Sequence, residues 1–278
     1  MFNLVCAEGH LHYSPMPETF EGAGCGTAHA GTLRRCNEVL ELRPLSGESR
    51  DGISAGSLVG LVPASSESGF AYRLVVLTNG RPCLRKTLES FAASVRPLPA
   101  ESVLVADGGE FEPFEPWGGW RVEALRPARG FCGATAAGWR FASEPGPEFV
   151  FWLEDDFLFE RALDLRSLAE VLEANEHLTQ MGLMRGPAND LEEAAGGCVA
   201  LRPDLYEARD GWLESRTNHS TGCSLMRREF MAEHPWPEYE NCEGRFSIDM
   251  LAAGFTFGVW GMGEPWVQHV GVRAGSGY

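Results

Sequence analysis

The stretch Phe149-Val150-Phe151-Trp152-Leu153-Glu154-Asp155-Asp156-Phe157 places a run of large apolar residues directly before three consecutive carboxylates. The apolar run is too short for a helix and rich in aromatic and β-branched residues, so it predicts a strand buried on both faces. The acids then fall at the C-terminal end of this strand, where open α/β sheets bind ligands. Adjacent acids repel one another, and a hard divalent cation would relieve that repulsion. The alternative is a solvated acidic turn.

Length and composition limit the classes of protein. The chain has 278 residues and 44% hydrophobic residues, which suits one large domain or a medium domain with a small module. No apolar run approaches the roughly 20 residues that cross a bilayer. The first residues lack the pattern of a secretory signal, so we expect a cytoplasmic protein without a membrane span. The net charge of −16 argues against broad electrostatic binding to nucleic acid.

The eight cysteines are unevenly distributed. Without an export signal, reduced thiols or metal ligands are expected rather than disulfides. Three of them lie among histidines near the N-terminus. The other five stand singly in apolar surroundings and are predicted to be small buried core residues; they are Cys83, Cys132, Cys198, Cys223 and Cys242.

Residues 1–45 are predicted to form a small Cys/His-rich module. A segment this short buries little apolar surface, so a tetrahedral structural zinc ion is predicted to stabilise it, with Cys6, His10, Cys25 and Cys36 as the ligands. The spacing lacks paired Cys-x2-Cys knuckles; His12 or His29 is an alternative ligand, and thiols without a metal are the other reading. Residues 46–70 are rich in Ser and Gly and predict a linker.

Residues 71–278 are predicted to form one α/β domain. Apolar runs predict strands at 72–77, 102–106, 120–124, 149–153, 180–184, 197–201, 223–226 and 256–260, and an extended segment at 266–273. Helices are predicted from Leu84 to Val95 and over 133–142, 163–176 and 247–253. Because strands and helices alternate in the first half, we expect a mainly parallel central sheet flanked by helices.

The predicted strands end in polar residues. Asn79 follows the first strand of this domain, Asp107 ends the second, and the three acids end the fourth. Carboxyl ends of parallel strands meet at one sheet edge, so these residues are expected to lie close together.

In this layout the chain resembles GT-A fold glycosyltransferases, closest to family 2 of the nucleotide-sugar-dependent enzymes. The resemblance covers Tyr72 to Gly271 and implies a GT-A-like fold. It implies that the loop at Asn79 contacts the nucleotide and that Asp107 accepts hydrogen bonds from the base or ribose. The segment Arg126 to Gly138 resembles the glycine- and alanine-rich helix beside the nucleotide, although such helices also occur for packing alone.

The acidic triplet matches the family's DxD-type signature in a Glu-Asp-Asp form. By resemblance, Asp156 binds Mn²⁺ or Mg²⁺, while Glu154 and Asp155 hold the ribose or the waters of the metal. His269 resembles the histidine that completes this metal site from the C-terminal loop. Residues 218–223 resemble the loop below the donor sugar, which implies that His219 or Ser220 contacts the hexose.

An inverting transferase also needs a general base for the acceptor hydroxyl. The segment from Glu243 to Phe255 resembles the acidic motif that leads into a helix in this family. The family commonly shows Glu-Asp, whereas this chain has Glu243-Gly244. Glu243 is therefore the predicted catalytic residue, with Asp249 in reserve.

The resemblance implies a metal-dependent, inverting glycosyltransferase of hexosyltransferase type that uses a nucleoside diphosphate sugar. The acceptor is left open between a glycan, a protein and a modified nucleotide. Two alternatives remain, because the same sheet and metal also suit a nucleotidyltransferase, and because the missing aspartate at Gly244 suits a non-catalytic sugar-nucleotide-binding protein.

Overall fold

The structure is a computed structural model and describes residues 69–109, 117–186, 203–217, 219 and 221–271, together with two strands near the N-terminus. The chain divides into two units, residues 3–63 and the remainder. The predicted zinc ligands Cys6, His10, Cys25 and Cys36 lie outside the described residues, as do most of the predicted linker and the strand predicted at 197–201.

The described strands and helices alternate through the first half of the larger unit. The helices are α1 (Leu84–Ser94), α2 (Gly130–Ser143), α3 (Leu165–Ala174), α4 (Arg228–Glu233) and α5 (Cys242–Ala252), with a 3-10 turn at Pro203–Leu205. The strands are β1 (Phe2–Val5), β2 (Leu11–Ser14), β3 (Tyr72–Thr78), β4 (Val95–Arg96), β5 (Glu101–Asp107), β6 (Trp120–Leu125), β7 (Phe149–Glu154), β8 (Phe157–Phe159), β9 (Leu163–Asp164), β10 (Leu178–Leu183), β11 (Arg185–Gly186), β12 (Tyr206–Ala208), β13 (Trp212–Ser215), β14 (Ser224–Arg227), β15 (Thr256–Trp260) and β16 (Val267–His269).

A nine-stranded sheet forms the centre of the larger unit, in the order β12-β13-β15-β10-β14-β7-β3-β5-β6. Strands β6, β5, β3 and β7 are mutually parallel. Of the strands described in this sheet, only β13 and β14 are antiparallel to the others. The predicted mainly parallel α/β fold with flanking helices is therefore confirmed.

Two hydrophobic cores cover the two faces of this sheet. Alternation along β3 sends Leu74 and Val76 into one core and Val75 and Leu77 into the other. Helices α1 and α3 pack on the first core, whereas α2, α4 and α5 pack on the second. Because β3 and β7 lie between both layers, each contains a continuous apolar run in the sequence, at 74–77 in β3 and at 149–153 in β7.

Helices α2 and α5 are joined by a disulfide between Cys132 and Cys242, whose Cα atoms are 5.8 Å apart. The prediction of reduced, singly placed thiols is wrong for this pair. These cysteines are far apart in the sequence, and only the packing of α2 and α5 on one face of the sheet brings them together. Cys83 and Cys223 are free thiols, and Cys223 is buried as predicted.

None of the helices in the described ranges has the length and apolar character that crossing a bilayer requires.

Candidate active site

The register of β7, β3 and β5 brings the predicted polar strand ends to one level. Leu77 pairs with Glu154, and Thr78 pairs with Ala106, so the next residues, Asn79 and Asp107, lie at the same edge. Neighbouring strands are spaced about 4.8 Å apart, which puts the ends of β7 and β5 roughly 10 Å from each other across β3. The structure thus collects Asn79, Asp107 and the acidic triplet along one rim.

Asp155 is held inside the rim by the end of β3 and by α1. Thr78 Oγ1 donates a hydrogen bond to Asp155 Oδ2 at 2.5 Å. Thr87 Oγ1, on α1, donates to the backbone oxygen of Asp155 at 2.8 Å. Asp155 has no exposed surface, so it orients the turn after β7.

Asp156 and His269 meet at the same rim. The Nε2 atom of His269 lies 3.0 Å from Asp156 Oδ2. Strand β16 pairs with β8 so that His269 stands opposite Phe157, and the Val270 amide donates to the Asp156 carbonyl at 2.9 Å. A side chain at Gly271 would overlap Asp156 Oδ2, so the glycine permits this close approach.

Sequence reasoning missed Arg81, which follows β3 and contacts both aspartates. Its Nε atom lies 2.9 Å from Asp155 Oδ1, and its Nη1 atom contacts Asp156 Oδ2. About a quarter of its side chain, 26%, is exposed. Charge was the signal that could have identified it. Arg81 is the basic residue of the loop after β3, and the predicted sheet places that loop beside three carboxylates.

Burial and neighbouring charges shift the pKa values of the three acids in different directions. Burial, with the charges of Asp156 and Glu243, raises the pKa of Glu154 to about 8. Burial raises the pKa of Asp155 to about 6, against the lowering effects of Arg81 and Thr78. Burial also opposes ionisation of Asp156, but His269 and Arg81 together hold its pKa below the ordinary value. At neutral pH, Asp156 is therefore ionised and Asp155 is mostly ionised, whereas Glu154 is mostly protonated.

Asp107 and Asn79 lie where two loops touch. Asp107 Oδ1 accepts a hydrogen bond from the Arg129 amide at 2.6 Å, which fixes the chain entering α2. A side chain at Gly109 would overlap the backbone of Asn79. The loops after β3 and β5 are thus in direct contact.

Glu243 lies in the first turn of α5 and faces the acidic strand end through Thr221. The Thr221 amide donates to Glu243 Oε1 at 2.9 Å. The Thr221 hydroxyl is 3.1 Å from Glu243 Oε1 and 3.1 Å from Glu154 Oε1. By contrast, Asp249 forms a surface ion pair with Arg245 one turn away on α5, which is the geometry of a solvated helix pair.

His219 lies in the core and not at a sugar site. Its side chain has no exposed surface, and its ring packs among aromatic rings that include Trp139 and Phe246. Its Nδ1 atom is 3.1 Å from Thr179 Oγ1, and burial lowers its pKa to about 3. The expectation that His219 contacts a hexose is wrong, because it is shielded from solvent; Ser220 lies outside the described residues.

The side chains at the rim suit a divalent cation that takes only part of its coordination shell from the protein and the rest from a bound ligand. Within the described ranges, no group of three or more His, Cys, Asp and Glu side chains is placed to hold a metal. Asp156 and His269 offer one oxygen and one nitrogen, and Asp156 Oδ1 is buried without a hydrogen-bond partner. Mg²⁺ and similar ions are often held by one or two protein carboxylates, with substrate phosphates and water completing the shell.

No protein-family model and no curated protein matches the sequence. Solved structures do share its fold. A crystal structure of GalNAc-T7 with UDP, GalNAc and Mn²⁺ matches with a TM-score of 0.54 and 13% identity, over 75% of this chain and 45% of that chain. The structure of S. aureus TarS 1-349 matches with a TM-score of 0.46 and 12% identity, over 72% and 60% of the two chains. A further S. aureus TarS structure gives 0.49 and 12%, over 73% and 37%.

The likeness to GalNAc-T7, a GT-A glycosyltransferase, is one of fold. The GT-A-like architecture expected from the sequence is confirmed by it. The chain spans less than half of the length of the GalNAc-T7 chain that it matches.

Proposed function

We propose that this protein is a metal-dependent glycosyltransferase of hexosyltransferase type, which moves a sugar from a nucleoside diphosphate sugar to an acceptor with inversion. The observation that carries the proposal is the meeting of Asp156 and His269, 3.0 Å apart, at the rim where Asn79 and Asp107 also lie. The GT-A-like fold supports it, because ligands of open α/β sheets bind at this edge.

In this proposal Asp156 and His269 hold Mn²⁺ or Mg²⁺. When bound, the ion supplies Lewis-acid stabilisation for the charge that builds on the departing diphosphate. Asp155 is anchored by Thr78, which donates to its Oδ2 atom, and by Arg81, whose Nε atom lies 2.9 Å from its Oδ1 atom. Its role is to fix the turn that presents Asp156.

Asp107 and Asn79 are the proposed contacts of the nucleoside. An ionised carboxylate only accepts hydrogen bonds, which suits ribose hydroxyls. Asp107 has one oxygen on the Arg129 amide, so its second oxygen is the one assigned to the ribose.

Glu243 is the proposed general base. Its Oε1 atom accepts both hydrogen bonds from Thr221, which fixes the carboxylate and leaves Oε2 as the oxygen for the acceptor proton. A general base contributes about two to four orders of magnitude to the rate. The acceptor, whether a glycan, a protein or a modified nucleotide, is bound on the side of this carboxylate.

The test begins with a thermal-shift screen of UDP-, ADP- and GDP-sugars with Mn²⁺, since a bound ligand stabilises the folded chain. Hydrolysis of the best donor is then measured with and without Mn²⁺. Asp156→Asn should lose Mn²⁺-dependent donor binding in calorimetry. Glu243→Gln should keep donor affinity and lose about 10²- to 10⁴-fold in turnover. Glu170→Gln, at an exposed carboxylate on α3, is the charge-matched control.

The outcomes separate the candidate functions. Full turnover in Glu243→Gln, with loss in Asp249→Asn, would assign the base to Asp249. Donor binding without any turnover would identify a binding protein. Consumption of a nucleoside triphosphate in place of the sugar donor would identify a nucleotidyltransferase.

A further inference from the structure

Three buried polar atoms without hydrogen-bond partners are concentrated at Arg81. They are Arg81 Nε, Asp155 Oδ1 and Asp156 Oδ1. Arg81 Nε and Asp155 Oδ1 are only 2.9 Å apart, yet their alignment does not make a hydrogen bond. Buried polar groups normally find partners, so the arginine and its acids form an ion pair that is close but incompletely bonded.

The bonding of Asp156 is also uneven. Its Oδ2 atom faces both Arg81 Nη1 and His269 Nε2, whereas Oδ1 faces no donor. An arginine committed to one carboxylate usually makes two parallel bonds, one to each oxygen. Here Arg81 instead shares a single oxygen with the other proposed metal ligand.

Accessibility separates the arginine from the acids. The side chains of Asp155 and Asp156 are 0% and 2% exposed, whereas that of Arg81 is 26% exposed. The Arg81 side chain thus contacts the buried acids and is also partly exposed to solvent. An arginine guanidinium is not deprotonated in proteins, so Arg81 stays charged beside these acids.

We propose that Arg81 is an exchangeable cation of the donor site: it neutralises Asp156 in the free protein, gives up Asp156 Oδ2 to the divalent ion, and then binds the donor diphosphate. This inference rests on the proposed function. A guanidinium and a divalent cation compete for the same oxygen and repel each other at contact distance. The guanidinium fork matches phosphate oxygens, so the released arginine has a ligand of suitable geometry.

The experiment measures binding and does not depend on turnover. Mn²⁺ alone is titrated into the full chain by calorimetry, and then UDP, ADP and GDP are titrated at saturating Mn²⁺. Arg81→Gln should tighten the binding of Mn²⁺ alone about tenfold, which corresponds to about 1.4 kcal/mol. The same variant should weaken the tightest nucleotide by about tenfold or more, because hydrogen bonds to charged groups are lost.

Lys86→Gln is the matched control. It removes the same charge from an exposed position on α1 and should change both affinities less than twofold. Arg81→Lys keeps the charge without the fork, so it should bind Mn²⁺ as the wild type does and bind the nucleotide more weakly. If Arg81→Gln unfolds, as thermal unfolding would report, Arg81→Lys carries the test of the diphosphate contact and Arg81→Met replaces Arg81→Gln in the test of the exchange.

An Arg81→Gln protein that binds Mn²⁺ as tightly as the wild type, or more weakly, would overturn the exchange. Unchanged nucleotide affinity in both Arg81 variants would overturn the diphosphate contact. If the wild type binds neither Mn²⁺ nor any nucleotide, the proposed function itself is refuted, and the exchange with it.

Discussion

Loss of the disulfide should destabilise the protein by several kcal/mol. The bond joins Cys132 on α2 to Cys242 on α5 across a sequence separation of 110 residues. Closing a loop of this length in the unfolded chain removes conformational entropy worth about 4.8 kcal/mol at 25 °C in the chain-entropy treatment, and measured losses run from about 2 to 5 kcal/mol. We therefore expect Cys132→Ala, Cys242→Ala and the double variant each to lose about 2–5 kcal/mol.

The assay is urea unfolding followed by tryptophan fluorescence, with and without reductant. Trp139 and Trp152 are both buried, with ring centroids 5.8 Å apart, so their emission reports the core beneath α2. Alanine is preferred to serine, because Cys242 is buried and an added hydroxyl would need a partner. Cys83→Ser, at a half-buried free thiol, is the control that should still respond to reductant.

The single variants and the double variant should be equally stable, since either change removes the whole bond. Reductant should lower the free energy of unfolding of the wild type to their level and leave the variants unchanged. A wild-type midpoint that reductant does not move would refute the reasoning. So would single losses that add in the double variant.

Two further predictions concern buried residues. Because burial keeps the pKa of His219 near 3, against about 6.5 when unfolded, the unfolded chain takes up a proton first as pH falls. The contribution of this residue to the free energy of unfolding is fully present above about pH 6.5 and is lost toward pH 3, by about 2 kcal/mol between pH 7 and pH 5. In urea titrations, the His219→Phe variant should lose less stability than the wild type over the same interval. An identical loss in the two proteins would contradict this. A Cβ at Gly138 would lie 2.8 Å from Trp152 Cη2, so Gly138→Ala should cost about 1–2 kcal/mol in the same titrations, the overpacking exceeding the gain in helix propensity. Gly118→Ala, where a Cβ meets nothing within 4 Å, should change stability by less than about 0.5 kcal/mol, and equal effects of the two changes would reject the packing argument.

The central strands were predictable because their burial leaves an unambiguous pattern. Strands β3 and β7 are covered on both faces, so continuous apolar runs marked them to within a residue or two. The strand ends followed, and with them the position of Asp107 and the acidic triplet. Helix α5 was placed too late, because Glu243 and Gly244 interrupt the apolar spacing that begins at Phe246; the helix starts at Cys242.

Contacts between distant segments were not predictable. Nothing near Cys132 or Cys242 in the sequence indicates the other cysteine. Thr221 connects Glu243 to Glu154 only because β14 lies beside β7 in the sheet. His219 reads as a polar loop residue, and its burial depends on α2 and α5 closing over it. Each of these facts belongs to the tertiary packing and has no local signature.

The hydrogen bonds of Thr221 bear on the choice of Glu243 as the base. A hydroxyl has one proton, so Thr221 does not donate to both Glu154 and Glu243, although both lie 3.1 Å away. Since burial and neighbouring charge raise the pKa of Glu154 to about 8, Glu154 is the weaker of the two acceptors at neutral pH. The Thr221 hydroxyl then donates to Glu243 Oε1, which also accepts from the Thr221 amide. Gly244 is buried, so an acid at that position would lie in the interior, and the acid in the first turn of α5 is Glu243. A Glu243→Gln variant with full turnover would contradict the choice of Glu243 as the proposed base.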